Sequence, residues 1–334
     1  MKRISCFCIP AHGHTNPMLP VVKVLVNRGN LVRFYSFDEF RERVERTGAE
    51  FVSCERFLPR LSSEQLSSIM KVSATEMTIQ DIRTTRNMDD FLAGELTSFR
   101  PDVIYTDSVC FWGKLTARKY QIPMVVSTST FAFNQLSSQY MKSSPREMAD
   151  VIFGLPKISR ELKSLEPHGY HVKSALALVQ SDNETDSVVY TSRRFQPYAQ
   201  TFSEHYAFVG PSLFTGSPAR PEGTAAEKKR PLVYISLGTV INDRPDFYER
   251  CIESLKGSGA DVIISCGKYL DADKLGALPD TIRVSPSVNQ LEVLSRADVF
   301  ITHCGMNSVS ESLFSAVPMV LYPQTNEQHA VARR

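Results

Sequence analysis

Residues 297–323 read ADVFITHCGMNSVSESLFSAVPMVLYP. Residues 298–303 form an apolar run of strand length, 308–314 carry helical spacing, and 319–322 form a second apolar run. Strand, short polar loop, helix and strand make a βαβ unit. A continuous apolar run suits a parallel strand covered on both faces. The pattern extends backwards from this stretch, with strands at 232–237, 261–266 and 282–285 and helices at 246–255 and 291–295. Before residue 210 the strands are 4–10, 31–37, 50–54, 102–106, 124–128, 187–191 and 206–209. Pro17 opens a helix that reaches Val26, and Ser36 and Glu39 have capping-box spacing ahead of a helix that Gly48 closes. Helical stretches fill 62–98 and 133–180.

The alternation breaks once, at GPSLFTGSPARPEGTAAEKKRP over 210–231, which is rich in Pro, Gly and charge and has the character of an interdomain linker. The expected division is a first domain over 1–212, a linker over 213–230 and a second domain over 231–334. The fold class is α/β, two Rossmann-like doubly wound halves facing across a cleft, with ligands held beyond the carboxyl ends of the strands.

Composition narrows the function classes. A chain of 334 residues with 38 Lys+Arg against 36 Asp+Glu offers no basic footprint for nucleic acid or an anionic membrane. No apolar run approaches the roughly 18 residues of a bilayer span, and MKRISCFCIP is a first strand rather than a signal peptide. The expectation is a cytoplasmic protein whose seven scattered cysteines are reduced.

The chemistry sits in loops after strands. His12 and His14 in Pro10-Ala11-His12-Gly13-His14-Thr15-Asn16-Pro17 precede a helix, and histidine suits a general base near neutral pH, or a plain backbone-bonding loop. Asp107 ends its strand in the same half; behind a histidine it fixes the tautomer, and alone it caps a helix beginning at Ser108. In the second half, Gly305 permits close backbone approach at a helix N-terminus, an anion site suited to phosphate. The helix dipole contributes only about 0.3–1 kcal/mol, so His303 and neighbouring hydroxyls must add donors. Glu311 lies one turn past Asn307 and suits ribose hydroxyls, or is an ordinary solvated glutamate. Ser236-Leu237-Gly238-Thr239 is a second, weaker cradle. Asp271 and Asp273 look like a capping turn rather than a metal pair, and His168 and His171 like a polar loop. No G-x-G-x-x-G follows the first strand and no G-x-S-x-G is present, against a nicotinamide dehydrogenase and an α/β-hydrolase.

Together these stretches resemble the UDP-dependent glycosyltransferases of the GT-B fold, family one, especially the bacterial macrolide and flavonoid glycosyltransferases. PAHGHTNP is similar to the family's acceptor-side loop, VIYTDSVCFWG to the strand end carrying an aspartate, and VNQLEVLSRADVFITHCGMNSVSESLFSAVPMVLYPQTNEQ over 288–328 to its donor-binding signature. The resemblance implies His14 as catalytic base and Asp107 as its partner. It implies that Val288 meets the uracil edge, that Glu311 holds the ribose, and that Gln290 is among the donor-binding residues. Gly238, Thr239, His303, Gly305, Asn307 and Ser308 would surround the diphosphate, and Glu327 and Gln328 would bind the sugar. It implies single inverting transfer of a hexose, glucose foremost, from a UDP-sugar to a hydroxyl of a small hydrophobic phenolic, flavonoid or macrolide-like acceptor, with neither metal nor cofactor. Ser129, Phe131, Phe133 and Tyr140 are candidate acceptor-pocket residues, the aromatics having ordinary core as their other reading.

The sequence departs from the family pattern at four places. Ser287 replaces a base-stacking aromatic, which leaves a thymidine diphosphate donor open. Asn289 replaces a proline, Glu327 replaces an aspartate, and family members continue past Arg334, so the second domain is expected to lack its closing helices. An auxiliary protein that binds nucleotide sugar without turnover is the competing reading, and a UDP-sugar epimerase is disfavoured by the His14/Asp107 pairing.

Overall fold

The computed structural model describes residues 1–57, 73–141, 145–172, 174, 176–179, 182–214, 216, 230–267 and 278–334. The chain divides into two compact units, Met1–Leu213 and Phe214–Arg334. The first runs β1 (Arg3–Phe7), α1 (His12–Asn27), β2 (Leu31–Ser36), α2 (Arg41–Glu45), β3 (Glu50–Ser53), α3 (Ala74–Asn87), α4 (Asp89–Phe99), β4 (Val103–Asp107) and α5 (Phe111–Lys119). It continues through β5 (Met124–Thr128), α6 (Pro145–Lys163), α7 (Leu176–Val179), β6 (Ser187–Val189) and β7 (Tyr206–Phe208). Its sheet has the order β3-β2-β1-β4-β5-β6-β7, and every pairing is parallel.

The second unit runs β8 (Leu232–Ser236), α8 (Pro245–Leu255), β9 (Asp261–Ser265), β10 (Ile282–Ser285), α9 (Gln290–Leu294), β11 (Val299–Thr302), α10 (Met306–Phe314), β12 (Met319–Leu321) and α11 (Asn326–Ala332). Its parallel sheet is ordered β10-β9-β8-β11-β12, which reproduces the first five places of the other sheet. In both, the first strand of the unit is flanked by strands reached in opposite directions. Parallel crossovers are right-handed, so the reversal puts helices on both faces and opens a crevice where the order turns. In the first unit that point lies between β1 and β4, in the second between β8 and β11.

Burial follows from having both faces covered. Along β8, Ile235 joins Phe247, Tyr248, Ile252 and Val262 on the side of α8, whereas Tyr234 joins Val293, Leu294, Ala297 and Phe300 on the other. Successive side chains of a strand point to opposite faces, so an unbroken apolar run feeds two cores. The first unit buries Phe7 stacked on Tyr35 at 4.6 Å, with Met18, Val22, Phe40 and Trp112 around them. None of the seven cysteines is disulfide-bonded, and no described helix is long and apolar enough to cross a membrane.

Two local expectations fail. Helix α1 begins at His12, not Pro17, because the Ala11 carbonyl accepts from the N–H groups of His14 and Thr15 at 3.0 and 2.9 Å. Pro17 and Pro20 lie inside the helix, where the fixed φ of proline is tolerated at the loss of one backbone donor each. The Ser36/Glu39 capping box does not form: Ser36 ends a strand with its hydroxyl unpartnered among the described residues, and Glu39 turns to His12. Most of the 213–230 stretch lies outside the described residues.

Candidate active site

β1, β4 and β5 are neighbours, with Phe7 in register with Thr106 and Asp107 with Ser127. The turn after β1, the last residue of β4 and the turn after β5 therefore emerge together. They bring His14 Nδ1 to 2.8 Å from Asp107 Oδ2 and 3.1 Å from Ser129 Oγ. Asp107 is wholly buried, and its other oxygen accepts the Val109 N–H at 3.0 Å. It is no N-cap at Ser108; α5 starts at Phe111, with Cys110 at the cap. A carboxylate accepting from Nδ1–H makes Nε2 the basic nitrogen. His14 also occupies the first turn of α1, where the helix dipole opposes an imidazolium by about 0.3–1 kcal/mol. A hydrogen bond to a buried charged group is worth about 1.5–3 kcal/mol, so the Asp107 contact prevails.

The structure separates the two histidines that the spacing alone left alike. His12 Nδ1 accepts from Arg43 Nη1 at 3.1 Å, so its Nε2–H donates to Glu39 Oε1 at 3.0 Å. Both its nitrogens are engaged on the surface, and only His14 meets a buried carboxylate.

Two charged neighbours had escaped notice. Lys114, buried on α5, donates to the Ser108 carbonyl at 2.9 Å and to the Leu178 carbonyl, and burial lowers its pKa to about 8. Asp81 on α3 is raised to about 7, first by burial and then by the charge of Asp107. The lysine inside the apolar FWGKLTA run was a legible oddity; Asp81 looked like any polar helix position. Of the acceptor candidates, Ser129 touches His14. Phe131 is 1% exposed and packs between Tyr140 and Phe195, which makes it core. Phe133 and Tyr140 are half-buried.

In the second unit Ser236 is in register with Thr302, so the loops after β8 and β11 leave the sheet side by side. They close on one imidazole. A Cβ on Gly238, which has φ +78°, would lie 2.5 Å from His303 Nε2, and a Cβ on Gly305 would lie equally close. Burial lowers His303 to about 4, so the ring is neutral, and its Nδ1 is buried without a partner among the described residues. Cys304 between them holds the left-handed φ of +68°, uncommon for a residue with a side chain. Gly305 is the N-cap of α10 and brings no side chain to its first N–H groups.

Behind this loop, Gln290 Nε2 donates to Glu311 Oε2 at 2.6 Å and to Ser308 Oγ at 3.2 Å. Burial raises the Glu311 pKa, and the Gln290 bond offsets this in part. Asn307 and Val288 are half-buried, and Thr239 and Glu327 are exposed. Gln328 Oε1 accepts the Gln324 and Thr325 N–H groups at 2.7 and 3.2 Å, completing the capping box of α11. Asn242 donates to the Gly238 carbonyl at 2.8 Å and fixes the turn after β8. Asp271 and Asp273 lie outside the described residues. His168 Nδ1 is 3.1 Å from Asp89 Oδ2, and among the described residues no three His, Cys, Asp or Glu side chains are grouped to hold a metal.

Comparison with known proteins supplies the family. The model of the UDP-glucoronosyl and UDP-glucosyl transferase family matches residues 220–334. The NDP-glycosyltransferase YjiC of Bacillus licheniformis is 34% identical, over all of this chain and 82% of its own length. The demethyllactenocin mycarosyltransferase of Streptomyces fradiae is 31% identical, over all of this chain and 74% of its own. Among solved structures, the glycotransferase of kitacinnamycin superposes with a TM-score of 0.78 at 29% identity, covering 99% of this chain and 83% of that one. Two parallel sheets, each with a residue cluster at its switch point, and these likenesses agree: the chain belongs to the UDP-glucoronosyl and UDP-glucosyl transferase family and is a glycosyltransferase of the GT-B fold, moving a sugar to an acceptor.

Proposed function

We propose that the protein transfers glucose from a UDP-sugar, with inversion, to a hydroxyl of a small hydrophobic acceptor of phenolic, flavonoid or macrolide-like kind. The observation that carries this is the 2.8 Å contact of His14 Nδ1 with the buried Asp107. His14 Nε2 takes the hydroxyl proton, Asp107 stabilises the resulting imidazolium, and the oxygen attacks the anomeric carbon as the nucleoside diphosphate leaves. The first N–H groups of α10, with His303, Asn307, Ser308, Gly238 and Thr239 around them, take up the diphosphate charge. Val288 meets the base, Glu311 lies on the ribose with Gln290 behind it, and Glu327 with the amide donors of Gln328 binds the sugar. No metal is needed in this scheme, and a chelator should leave the rate unchanged.

The test is His14→Ala, assayed with UDP-glucose and a panel of phenols. Transfer should fall by about 10²–10⁴-fold, the contribution of a positioned base, with UDP affinity retained. Undiminished transfer would remove His14 from the mechanism. Ser287, exposed where the base would lie, is the reason to run dTDP-glucose beside UDP-glucose.

A further inference from the structure

The interior of the second unit holds a polar chain that ends on Glu311. Tyr234 is 1% exposed and its ring is fixed by stacking on Phe300 at 4.7 Å. Its hydroxyl donates to Gln290 Oε1 at 3.1 Å, and the hydroxyls of Ser236 and Ser265 face it from β8 and β9. A phenol has one proton to give, and giving it to Gln290 sets which end of the amide points where. The oxygen faces Tyr234, so the NH₂ faces Glu311 Oε2 at 2.6 Å and Ser308 Oγ at 3.2 Å. A turned amide would press its carbonyl against the half-buried Glu311 carboxylate, a costly arrangement for two acceptors shielded from solvent.

We propose that Tyr234 is a positioning residue for nucleotide binding: through Gln290 it holds the Glu311 carboxylate with Oε2 engaged and Oε1 left for a ligand hydroxyl. This rests on the reading of Glu311 as the ribose-binding residue. Tyr234 touches no substrate in this scheme, which sets it apart from the residues of the cradle.

The experiment is titration of UDP into the full chain and into Tyr234→Phe, Glu311→Ala and the double variant, with KM and kcat for transfer. Tyr234→Phe should weaken UDP by about 3- to 10-fold, the scale of one buried hydrogen bond. It should raise KM for the donor while leaving kcat and the acceptor KM unchanged. In the Glu311→Ala background it should cost nothing more, because coupled residues are not additive. Additive losses, a fall in kcat alone, or unaltered UDP affinity in Tyr234→Phe would overturn the relay while leaving Glu311 in place. Unaltered affinity in Glu311→Ala would remove the ribose reading and the relay with it. If Tyr234→Phe does not fold, Gln290→Met breaks the chain at its middle link. It should weaken UDP on the same scale of about 3- to 10-fold and cost nothing more in the Glu311→Ala background, and additive losses there would overturn the relay.

Discussion

In the proposed mechanism, the pair of His14 and Asp107 depends on the direction of a single hydrogen bond. In Asp107→Asn, Oδ1 still accepts from Val109, so the new amide nitrogen faces His14 Nδ1. An N–H opposite Nδ1 demands a lone pair there and sends the ring proton to Nε2, where a base is needed. The variant should fold normally and lose about 10²–10⁴-fold in kcat for transfer; retention of more than a tenth of the activity would mean that Asp107 only packs. Both residues were legible in the sequence because each follows an apolar run, and residues beyond strand ends are where open α/β sheets hold their ligands. The difference between His12 and His14 came only from the family resemblance, not from the residue pattern itself. It depends on which of them lies opposite Asp107 and which opposite Arg43, a matter of strand order. Tyr234 was hidden for another reason: an aromatic in a strand looks like core, and its ring is core, while its hydroxyl alone does polar work.

At the scale of elements, the loop from β11 to α10 depends on a neutral ring. The folded state holds His303 near 4, against 6.5 for a free histidine. Between these values the unfolded chain binds the proton and the folded chain does not, so stability rises with pH across that window. It is fully present above about 6.5 and is lost as pH falls towards 4. Melting temperatures of the wild type should therefore drop over this range more steeply than those of His303→Gln, followed by circular dichroism; parallel curves would show that His303 titrates freely. Strands were the most legible elements, since runs such as 124–128 and 282–285 have the bounds that composition suggested. Helix starts were the least. Pro17 gave a correct signal for helical φ and a wrong one for position, and Ser36 with Glu39 matched a capping spacing in which Glu39 turned to His12 instead.

At the scale of the molecule, two sheets with one strand order carry separate cores, and the proposed nucleotide cradle belongs to the second alone. UDP at a hundred times its Kd should add about 2.7 kcal/mol to the unit that binds it. Calorimetry should show two unfolding transitions, of which nucleotide moves only one; a single transition moved as a whole would mean that the units melt together. The closing of Gly238 and Gly305 on His303 matters for anyone recombining this chain with its relatives. Gly238 lies 65 residues before His303 and 67 before Gly305 in sequence, yet the three form one steric unit. A crossover between 239 and 302 joins a turn and an imidazole that were never fitted to each other, and a side chain in place of either glycine has nowhere to go. Crossovers at the unit boundary near Leu213, or beyond Ser308, pass the trio on intact. Under the proposed assignment, a chimera therefore inherits the nucleotide cradle as a block, while the first unit can be exchanged.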